Sequence, residues 1–359
     1  MQADFTRLQN FVASVFESIG TPENQAQLAA EVLVSADARG IDSHGVARLA
    51  GYVRLFDHGR LNPNPKIKII HESPSTAVID GDKGLGLVVA PYAMEIACEK
   101  AEKAGTGWIA VRNSNHFGIA GYHAMKALEH QMIGWAMTHA APLVTPTFSR
   151  EKLLGTNPVA MAIPALTEPA FVADFASTAV AYGKLEILQR KGLNTPNGWV
   201  QDADGNPCND AFAIKNGGAL LPLGGDREHG SHKGYALGAM VDILSGVLSG
   251  ANFGPWVPPF ATAGFMSAGE TVGIGTGHFL GAMRIDAFRP ADEFKQDMDK
   301  WIQRFRSAQA VEGKKVIIPG DPERELEVER KANGIPLLEP VVADLQALAN
   351  RFSIPFKLA

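Results

Sequence analysis

The segment DSHGVAR at residues 42–48 combines residue types that could act together on a small acid. His44 and Arg48 are four residues apart, so on a helix their side chains would share one face. An arginine guanidinium binds a carboxylate through two parallel hydrogen bonds. A histidine one turn away could then exchange a proton with the neighbouring hydroxyl or carbonyl oxygen. The alternative is a solvated helix face behind Ser43, which is a credible N-cap.

A second polar segment, residues 112–121, follows a predicted strand and opens a predicted helix. It carries Asn115 and His116 at the strand's end, where α/β domains commonly place their sites. Exposed N–H groups at the start of the helix could also accept an anion. Because Asn, Ser and Gly are equally good turn formers, a functional site and an ordinary turn remain equal alternatives here.

Three further segments contain polar residues that could touch a ligand. Asp174, at the end of a predicted strand, could bind a ribose hydroxyl or act as a local cap. Lys233 begins a long apolar helix, where its charge opposes the helix dipole and hints at a ligand phosphate. Residues 318–324, IPGDPER, have the composition of a surface turn.

Composition excludes several classes of function. The chain has 359 residues and a formal net charge of −5, so it lacks the basic field of a non-specific nucleic-acid binder. Its two cysteines, Cys98 and Cys208, lack the spacing of a zinc site or a disulfide framework, and we expect no metal. There is no signal-peptide pattern and no apolar run long enough to span a membrane. These features predict a cytoplasmic protein with a reduced pair of thiols and no membrane partner.

The apolar periodicity predicts an α/β fold with helices at both ends of the chain. Three helices are expected up to residue 59, the third over residues 43–59. Short β-branched runs then predict strands at residues 66–70, 76–79, 108–111, 133–138, 159–163 and 171–175. Helices are expected at residues 88–103, 121–129 and 232–248, and again from about residue 290 and over 341–352.

Several of the predicted strands are joined by connections too short for a parallel crossover, so the sheet should be mixed. We expect the C-terminal helices to pack back on the N-terminal ones. The predicted division is therefore an N-terminal helical part at residues 1–72, an α/β domain at 73–288, and C-terminal helices at 289–359 that complete a smaller, discontinuous helical domain.

The usual dinucleotide fingerprint is missing from its expected context. The one matching string, GTGWIA at residues 105–110, follows a predicted helix and leads into a strand, the reverse of the Rossmann order. It is predicted to be a helix-to-strand turn. No P-loop, GxSxG or HExxH pattern occurs either.

Taken together, the motifs resemble the type-2 malate/L-lactate dehydrogenase family, which includes sulfolactate, ureidoglycolate and diketogulonate oxidoreductases and cyclic-imine reductases. The resemblance implies a non-Rossmann NAD(P)-binding α/β domain, either NAD or NADP as cofactor, and a homodimer. The strings that carry it run in family order along nearly the whole chain: DSHGVARL at 42–49, RNSNHFGIAGYHA at 112–124, GTNPVAMAIP at 155–164, VADFASTAVAYGK at 172–184, SHKGYALGAMVDILSGVLSGA at 231–251, GTGHF at 275–279 and IPGDPER at 318–324.

The resemblance also implies roles for individual residues. His44, supported by Ser43, is the candidate proton donor and acceptor, and His116 is its rival. Arg48 would bind the substrate carboxylate, and Thr156 would touch the substrate. The residues implied to contact the cofactor are Phe117, Gly118, Asp174, Phe175, Ala176, His232, Lys233, Pro319 and Gly320.

The expected function is hydride transfer between nicotinamide and a small 2-hydroxy or 2-oxo acid, with malate and oxaloacetate as the first expectation. Lactate, sulfolactate and ureidoglycolate dehydrogenases and a cyclic-imine carboxylate reductase share the motifs and remain alternatives. A serine hydrolase using Ser43 and His44 is disfavoured, because the side chains of adjacent residues are expected to diverge. A binding protein without turnover is the remaining alternative.

Overall fold

A computed structural model describes residues 1–260 and 271–359, with the side chain of Arg190 left out. Within these residues the helices are α1 Phe5–Ser18, α2 Glu23–Ala38, α3 Leu49–Asp57, α4 Gly86–Ala104, α5 Ala120–Glu129, α6 Tyr182–Lys191, α7 Ser231–Asp242, α8 Ala291–Arg306, α9 Asp321–Asn333 and α10 Glu339–Phe352. The strands in the same residues are β1 Gln2–Ala3, β2 Lys68–Glu72, β3 Thr76–Asp80, β4 Thr106–Ser114, β5 Ile133–Thr138, β6 Val159–Ile163, β7 Phe171–Phe175, β8 Val200–Gln201, β9 Pro207–Cys208, β10 Ala219–Leu220, β11 Thr276–Met283 and β12 Ile335–Pro336.

The main sheet has seven strands in the described part of the chain, in the order β2-β3-β4-β11-β5-β6-β7. The β3–β4 pair is parallel and its other neighbouring pairs are antiparallel, which confirms the predicted mixed sheet. The bounds of β5, β6 and β7 are those predicted from their apolar runs. Helices α4 and α5 pack on one face of this sheet and share a core with it.

Strand β11, at the centre of the sheet, was not predicted. Its sequence TGHFLGAM contains two glycines, which weaken a strand pattern and suggest a loop. The structure gives both a packing reason. A Cβ at Gly281 would lie 2.3 Å from the Trp108 ring, and one at Gly277 would lie 1.9 Å from the Ser245 carbonyl oxygen. The glycines therefore mark close approach by neighbouring elements rather than a turn.

Helices from both ends of the chain pack together. Residues of α1, α2 and α3 share one apolar core with α10 and with the final residues, including Leu348 and Leu358. Helix α9 packs against α2. Helix α8 contacts the β6–β7 connection, where the Asp299 carboxylate accepts the backbone N–H groups of Leu166, Thr167 and Glu168.

The predicted third helix was wrong at its start. Residues Asp42–His44 and Val46–Arg48 form two short 3₁₀ turns, and α3 begins only at Leu49. Ser43 lies inside the first turn and is not an N-cap. The break falls at Gly45, whose ψ of −145° interrupts the helical path. This irregular segment is the one that carries His44 and Arg48.

Two other sequence features have a clear outcome. Gly105, with φ +84°, ends α4 directly before β4, so the glycine-rich string is the predicted helix-to-strand turn. The predicted helix at 232–248 is α7 followed by a π-helical turn, Ile243–Val247.

Among the residues that the structure describes, no helix has the length and apolar character needed to cross a membrane.

Candidate active site

The loop after β4 brings His116 next to the N-terminal helices. Asn115 holds this loop by donating from Nδ2 to the carbonyl oxygens of Lys83 and Gly84, at 2.8 and 3.1 Å. The His116 ring then lies 5.7 Å from the ring of His44, nearly parallel to it, and 4.7 Å from the ring of Phe260. The two histidines that the sequence left as rivals are thus neighbours in one cleft.

Tyr52, on α3, holds the inner edge of the His116 ring. The tyrosine is fully buried, and its Oη lies 2.6 Å from His116 Nδ1 and 3.4 Å from the His116 carbonyl oxygen. Oη can donate to Nδ1 or accept from it. The Gly118 N–H, which donates to Nδ1 at 3.3 Å, favours the first tautomer, whereas a ligand hydroxyl that gives its proton to Nε2 requires the second, in which Nδ1–H donates to Oη and Oη donates to the carbonyl. This arrangement leaves Nε2, which has no hydrogen-bond partner among the described residues, as the nitrogen able to exchange a proton with a ligand.

Ser43 and His44 make a contact that the sequence argument did not expect. Ser43 Oγ lies 2.8 Å from His44 Nδ1, so the side chains of these adjacent residues converge. The expected divergence of adjacent side chains therefore does not hold in the 3₁₀ turn Asp42–His44. Within the described residues, no carboxylate is hydrogen-bonded to His44, so the third member of a hydrolytic triad is not seen.

Both histidines are held in the neutral form. Burial, reinforced by the charge of Arg48, lowers the pKa of His44 to about 4. Burial also lowers the pKa of His116 well below its usual range, with further contributions from His44 and Arg48. A bound carboxylate would offset the effect of the arginine, because an opposite charge favours the imidazolium.

Arg48 lies beside this pair, and its side chain is 19% exposed. Its Nε donates to the Ser43 carbonyl oxygen at 2.6 Å, and one terminal nitrogen lies 3.9 Å from the Glu186 carboxylate. Its two terminal nitrogens make no hydrogen bond to any residue that the structure describes. A guanidinium held by Nε, with no hydrogen bond to the described residues from its two terminal nitrogens, is suited to bind a planar carboxylate.

The segment 42–48 is fixed from behind by Asp37 of α2. Asp37 Oδ2 accepts the Val46 N–H at 2.7 Å, and a Cβ on Gly45 would lie 2.1–2.2 Å from the carboxyl atoms. Glycine is therefore required at position 45. Arg330 of α9 also stabilises this segment, because its guanidinium donates to the Asp37 carbonyl and to the Asp42 carboxylate.

A cavity of about 420 Å³ lies near this cleft, and its lining contains four of the nine predicted cofactor residues: Asp174, Phe175, Pro319 and Gly320. Its volume is in the range of small-molecule sites. The Asp174 carboxylate accepts the Gly121 N–H at 2.7 Å. At Gly320, φ is +97° and a Cβ would approach Val172 at 3.1 Å. An acid, an exposed aromatic ring and a side-chain-free backbone together fit a nucleotide.

The other predicted cofactor residues are not among those lining the cavity. The Phe117 side chain is 1% exposed, so only the backbone of Phe117 could contact a cofactor. The Gly118 N–H lies 3.3 Å from His116 Nδ1. His232 contacts Arg227 at 2.8 Å, and Lys233 is exposed at the start of α7. Ala176 follows β7 directly. The Thr156 carbonyl oxygen accepts the Ser177 N–H and Oγ–H at 2.9 and 3.0 Å.

Sequence reasoning missed three residues at this site. Tyr52 follows Arg48 by four residues and His44 by eight, so a search for polar groups at helical spacing would have found it. Arg39 lines the cavity and pairs with Glu327 at 2.9 Å. Asp37 lies at the end of α2, where an aspartate is unremarkable, and no local pattern indicates that its carboxyl reaches Val46.

Comparison with known proteins identifies the family. Residues 3–346 match the family model described as malate/L-lactate dehydrogenase. The malate dehydrogenase of Pyrococcus horikoshii is 42% identical over 350 residues, which cover 97% of this chain and 94% of that protein.

Two solved structures have the same fold over the whole chain. The sulfolactate dehydrogenase of Methanocaldococcus jannaschii has a TM-score of 0.90 at 35% identity, covering 99% of this chain and 98% of that one. The malate dehydrogenase of Entamoeba histolytica has a TM-score of 0.91 at 32% identity, covering 100% and 99%. The chain therefore belongs to the malate/L-lactate dehydrogenase family of NAD(P)-dependent 2-hydroxy-acid oxidoreductases.

Proposed function

We propose that this protein interconverts malate and oxaloacetate, with His116 as the acid/base and Arg48 as the carboxylate-binding residue. The observation that carries the proposal is the position of a partly buried, tyrosine-held imidazole beside a guanidinium whose terminal nitrogens make no hydrogen bond to the described residues. The name of the P. horikoshii relative, malate dehydrogenase, supports malate over the alternatives. Lactate, sulfolactate, ureidoglycolate and a cyclic imine carboxylate are the other substrates to be tested.

The proposed mechanism assigns one task to each residue. Arg48 binds the carboxylate next to the reacting carbon, which places the substrate oxygen near His116. In oxidation, the His116 tautomer that donates Nδ1–H to Tyr52 Oη takes the hydroxyl proton on Nε2; in reduction the imidazolium returns that proton to the substrate oxygen. The bound nicotinamide cofactor supplies the hydride chemistry. His44, hydrogen-bonded to Ser43, packs against His116 and helps to exclude water.

The proposed cofactor site is the cavity lined by Asp174, Phe175, Pro319 and Gly320. The hydrogen-bonding carboxyl of Asp174 suits a ribose hydroxyl, and the close backbone approach at Gly320 suits a flat or phosphorylated group. Phe117 and Gly118 through their backbone, and Ala176, His232 and Lys233, are proposed to contact the same cofactor. Thr156 is proposed to touch the substrate.

A substrate panel tests the proposed function. Oxidation of NADH and of NADPH is followed by the loss of absorbance of the reduced nicotinamide, with oxaloacetate, pyruvate, sulfopyruvate and a cyclic imine carboxylate as acceptors. Oxidation of malate and ureidoglycolate is assayed with NAD and NADP. We expect the highest kcat/KM with oxaloacetate. A higher value with another acceptor would replace the proposed substrate, and cofactor binding without turnover of any compound would favour a binding protein.

We also propose a homodimer formed through the α7 side of the sheet. Helix α7 and the π turn after it expose an apolar stripe, whose members are 37% to 57% exposed: Tyr235, Met240, Ile243, Val247 and Leu248. The neighbouring sheet face carries a stacked pair, Trp108 and Phe279, that is only partly covered. An apolar surface of this kind normally meets a protein partner, and a second copy is the occupant we propose.

The dimer is tested by measuring the molar mass of the protein by light scattering as it elutes from a size-exclusion column. Met240→Glu with Val247→Glu should convert the dimer to a monomer, because two charges would be buried unpaired in the interface. Val311→Glu, at an exposed apolar position in the connection after α8, is the control. A wild-type monomer, or a double variant that stays dimeric, would contradict the proposed dimer interface.

A cytoplasmic location is proposed as well, supported by the free thiols of Cys98 and Cys208.

A further inference from the structure

We propose that His278 is a positioning residue for His116, acting through Ser114 and Phe117. The inference rests on the proposed function, because it concerns how the acid/base of that reaction is held. His278 lies on β11, the central strand, and its side chain is fully buried. It belongs neither to the cleft nor to the cavity described above.

The His278 ring ties together three strands directly beneath the His116 loop. Its Nε2 lies 2.9 Å from Ser114 Oγ, on the last residue of β4. Its Nδ1 lies 2.7 Å from Thr138 Oγ1, on the last residue of β5. One ring nitrogen donates and the other accepts, as a neutral imidazole requires. The end of β4, two residues before His116, is thereby fixed to β11 and β5.

The same ring also supports the residue after His116. Phe117 stacks on His278 with 4.8 Å between ring centres and 17° between ring planes. Phe117 also contacts the His123 ring at 4.5 Å, and its carbonyl oxygen lies 2.7 Å from His123 Nε2. His116 is partly buried and lies between Ser114 and Phe117, both of which contact the His278 ring. These two contacts add to the holds by Asn115 on the loop and by Tyr52 on the ring in setting the direction of Nε2.

A histidine at position 278 does what an apolar residue could not. A leucine could fill much of the volume and preserve the core, but it would cut both links between strands and lose the flat surface on which Phe117 stacks. Burial lowers the pKa of His278 well below its usual range, so the ring stays neutral and keeps one donor and one acceptor. Misplacement of a reacting group by about 1 Å can cost roughly 10²-fold in rate.

The experiment compares His278→Leu, His278→Gln and Ser114→Ala with wild type. Cofactor-binding sites are counted by titration of NADH fluorescence, and kcat is expressed per binding site. We expect His278→Leu to lower kcat per site by at least tenfold, with KM for oxaloacetate and Kd for NADH changed less than threefold. His278→Gln, whose amide can still reach Ser114, should recover part of the loss. Ser114→Ala should cause a smaller decrease in kcat.

These readouts separate positioning from simple stabilisation. A residue needed only for stability would lower the number of NADH-binding sites and the melting temperature, but not the turnover of each remaining site. His130→Leu, an exposed histidine at the end of α5, is the matched control and should behave as wild type. Unchanged kcat per site in both His278→Leu and Ser114→Ala would overturn the proposal.

The test also covers a variant that does not fold and a wild-type protein that is inactive. If His278→Leu fails to fold, Ser114→Ala decides alone, because it removes one oxygen from a site that the rest of the strand still fills. If wild-type protein turns over no member of the substrate panel, the proposed function fails, and the inference about positioning fails with it. An active wild type with unaffected variants overturns the positioning role only.

Discussion

Replacing His116 with alanine is expected to lower kcat for oxaloacetate reduction by about 10²- to 10⁴-fold, the usual contribution of a positioned acid/base. Among the residues that the structure describes, only this ring combines an Nε2 without a hydrogen-bond partner with an Nδ1 held at 2.6 Å by a fully buried hydroxyl. Binding of NADH should be nearly unchanged, because the cavity lining does not include His116. Steady-state kinetics and fluorescence titration measure the two effects separately.

His44→Ala is the comparison that decides between the two histidines. His44 packs against His116 and is oriented only by the hydroxyl of its own neighbour, Ser43, so we expect its removal to lower kcat about tenfold, the cost of one hydrogen bond and some packing. His71→Ala, on the exposed strand β2, is the control for loss of a histidine. If His44→Ala is the more damaging change, the acid/base role belongs to His44 and the assignment here is wrong.

The depressed pKa of His116 also predicts how the two directions depend on pH. Malate oxidation needs the neutral ring, which accepts the proton, and the lowered pKa keeps that form dominant well below pH 6.5. The kcat/KM for malate should therefore stay level as the pH falls from 8 to 6 and decline only in more acidic solution. Oxaloacetate reduction needs the imidazolium, so its kcat/KM should rise as the pH falls over the same interval. An oxidation profile with its midpoint at or above 6.5 would contradict the burial argument.

Replacing Arg48 with alanine is expected to lower kcat/KM for oxaloacetate by at least 10²-fold. Two charge-assisted hydrogen bonds to the substrate carboxylate would be lost, each contributing about 1.5–3 kcal/mol, where about 1.4 kcal/mol is a factor of ten. Much of the loss should appear in KM, because the carboxylate is bound in the ground state as well as in the transition state.

Arg48→Lys tests the geometry of that contact. Lysine keeps the charge but cannot place two parallel donors against a carboxylate, so we expect it to recover only a small part of the loss. The Nε contact with the Ser43 carbonyl would also be lost, which loosens the turn that carries His44. Arg150→Ala, an exposed arginine paired only loosely with Asp204, is the control. Full activity in Arg48→Lys would show that charge alone suffices.

Local sequence pattern predicted much of the fold and part of the site. The apolar runs of β5, β6 and β7 determine those strands, because alternation and β-branched residues favour an extended chain regardless of distant neighbours. Likewise, the spacing of His44 and Arg48 and the order of the family motifs were enough to predict the enzyme class. These features depend on residues close together in the chain, which a single sequence shows directly.

Other parts of the site were decided by contacts between distant residues. Strand β11 lies at the sheet centre because Gly277 and Gly281 let Ser245 and Trp108 approach, a fact that the glycines alone do not reveal. The break at Gly45 depends on the Asp37 carboxyl, which accepts the Val46 N–H. Two short turns therefore stand where a helix was predicted. Where tertiary contacts supply more energy than local propensity, prediction from local pattern fails.

The histidine pair shows the division most clearly. His44 and His116 were both found as candidates from the sequence, since both stand in polar motifs at the edges of regular elements. Their shared cleft and the hold of Tyr52 on His116 come from tertiary packing, because α3 meets the loop after β4 and joins residues 64 positions apart in the chain. Hydrogen bonds and burial act over a few ångströms in space, and the order of residues in the chain does not record that distance.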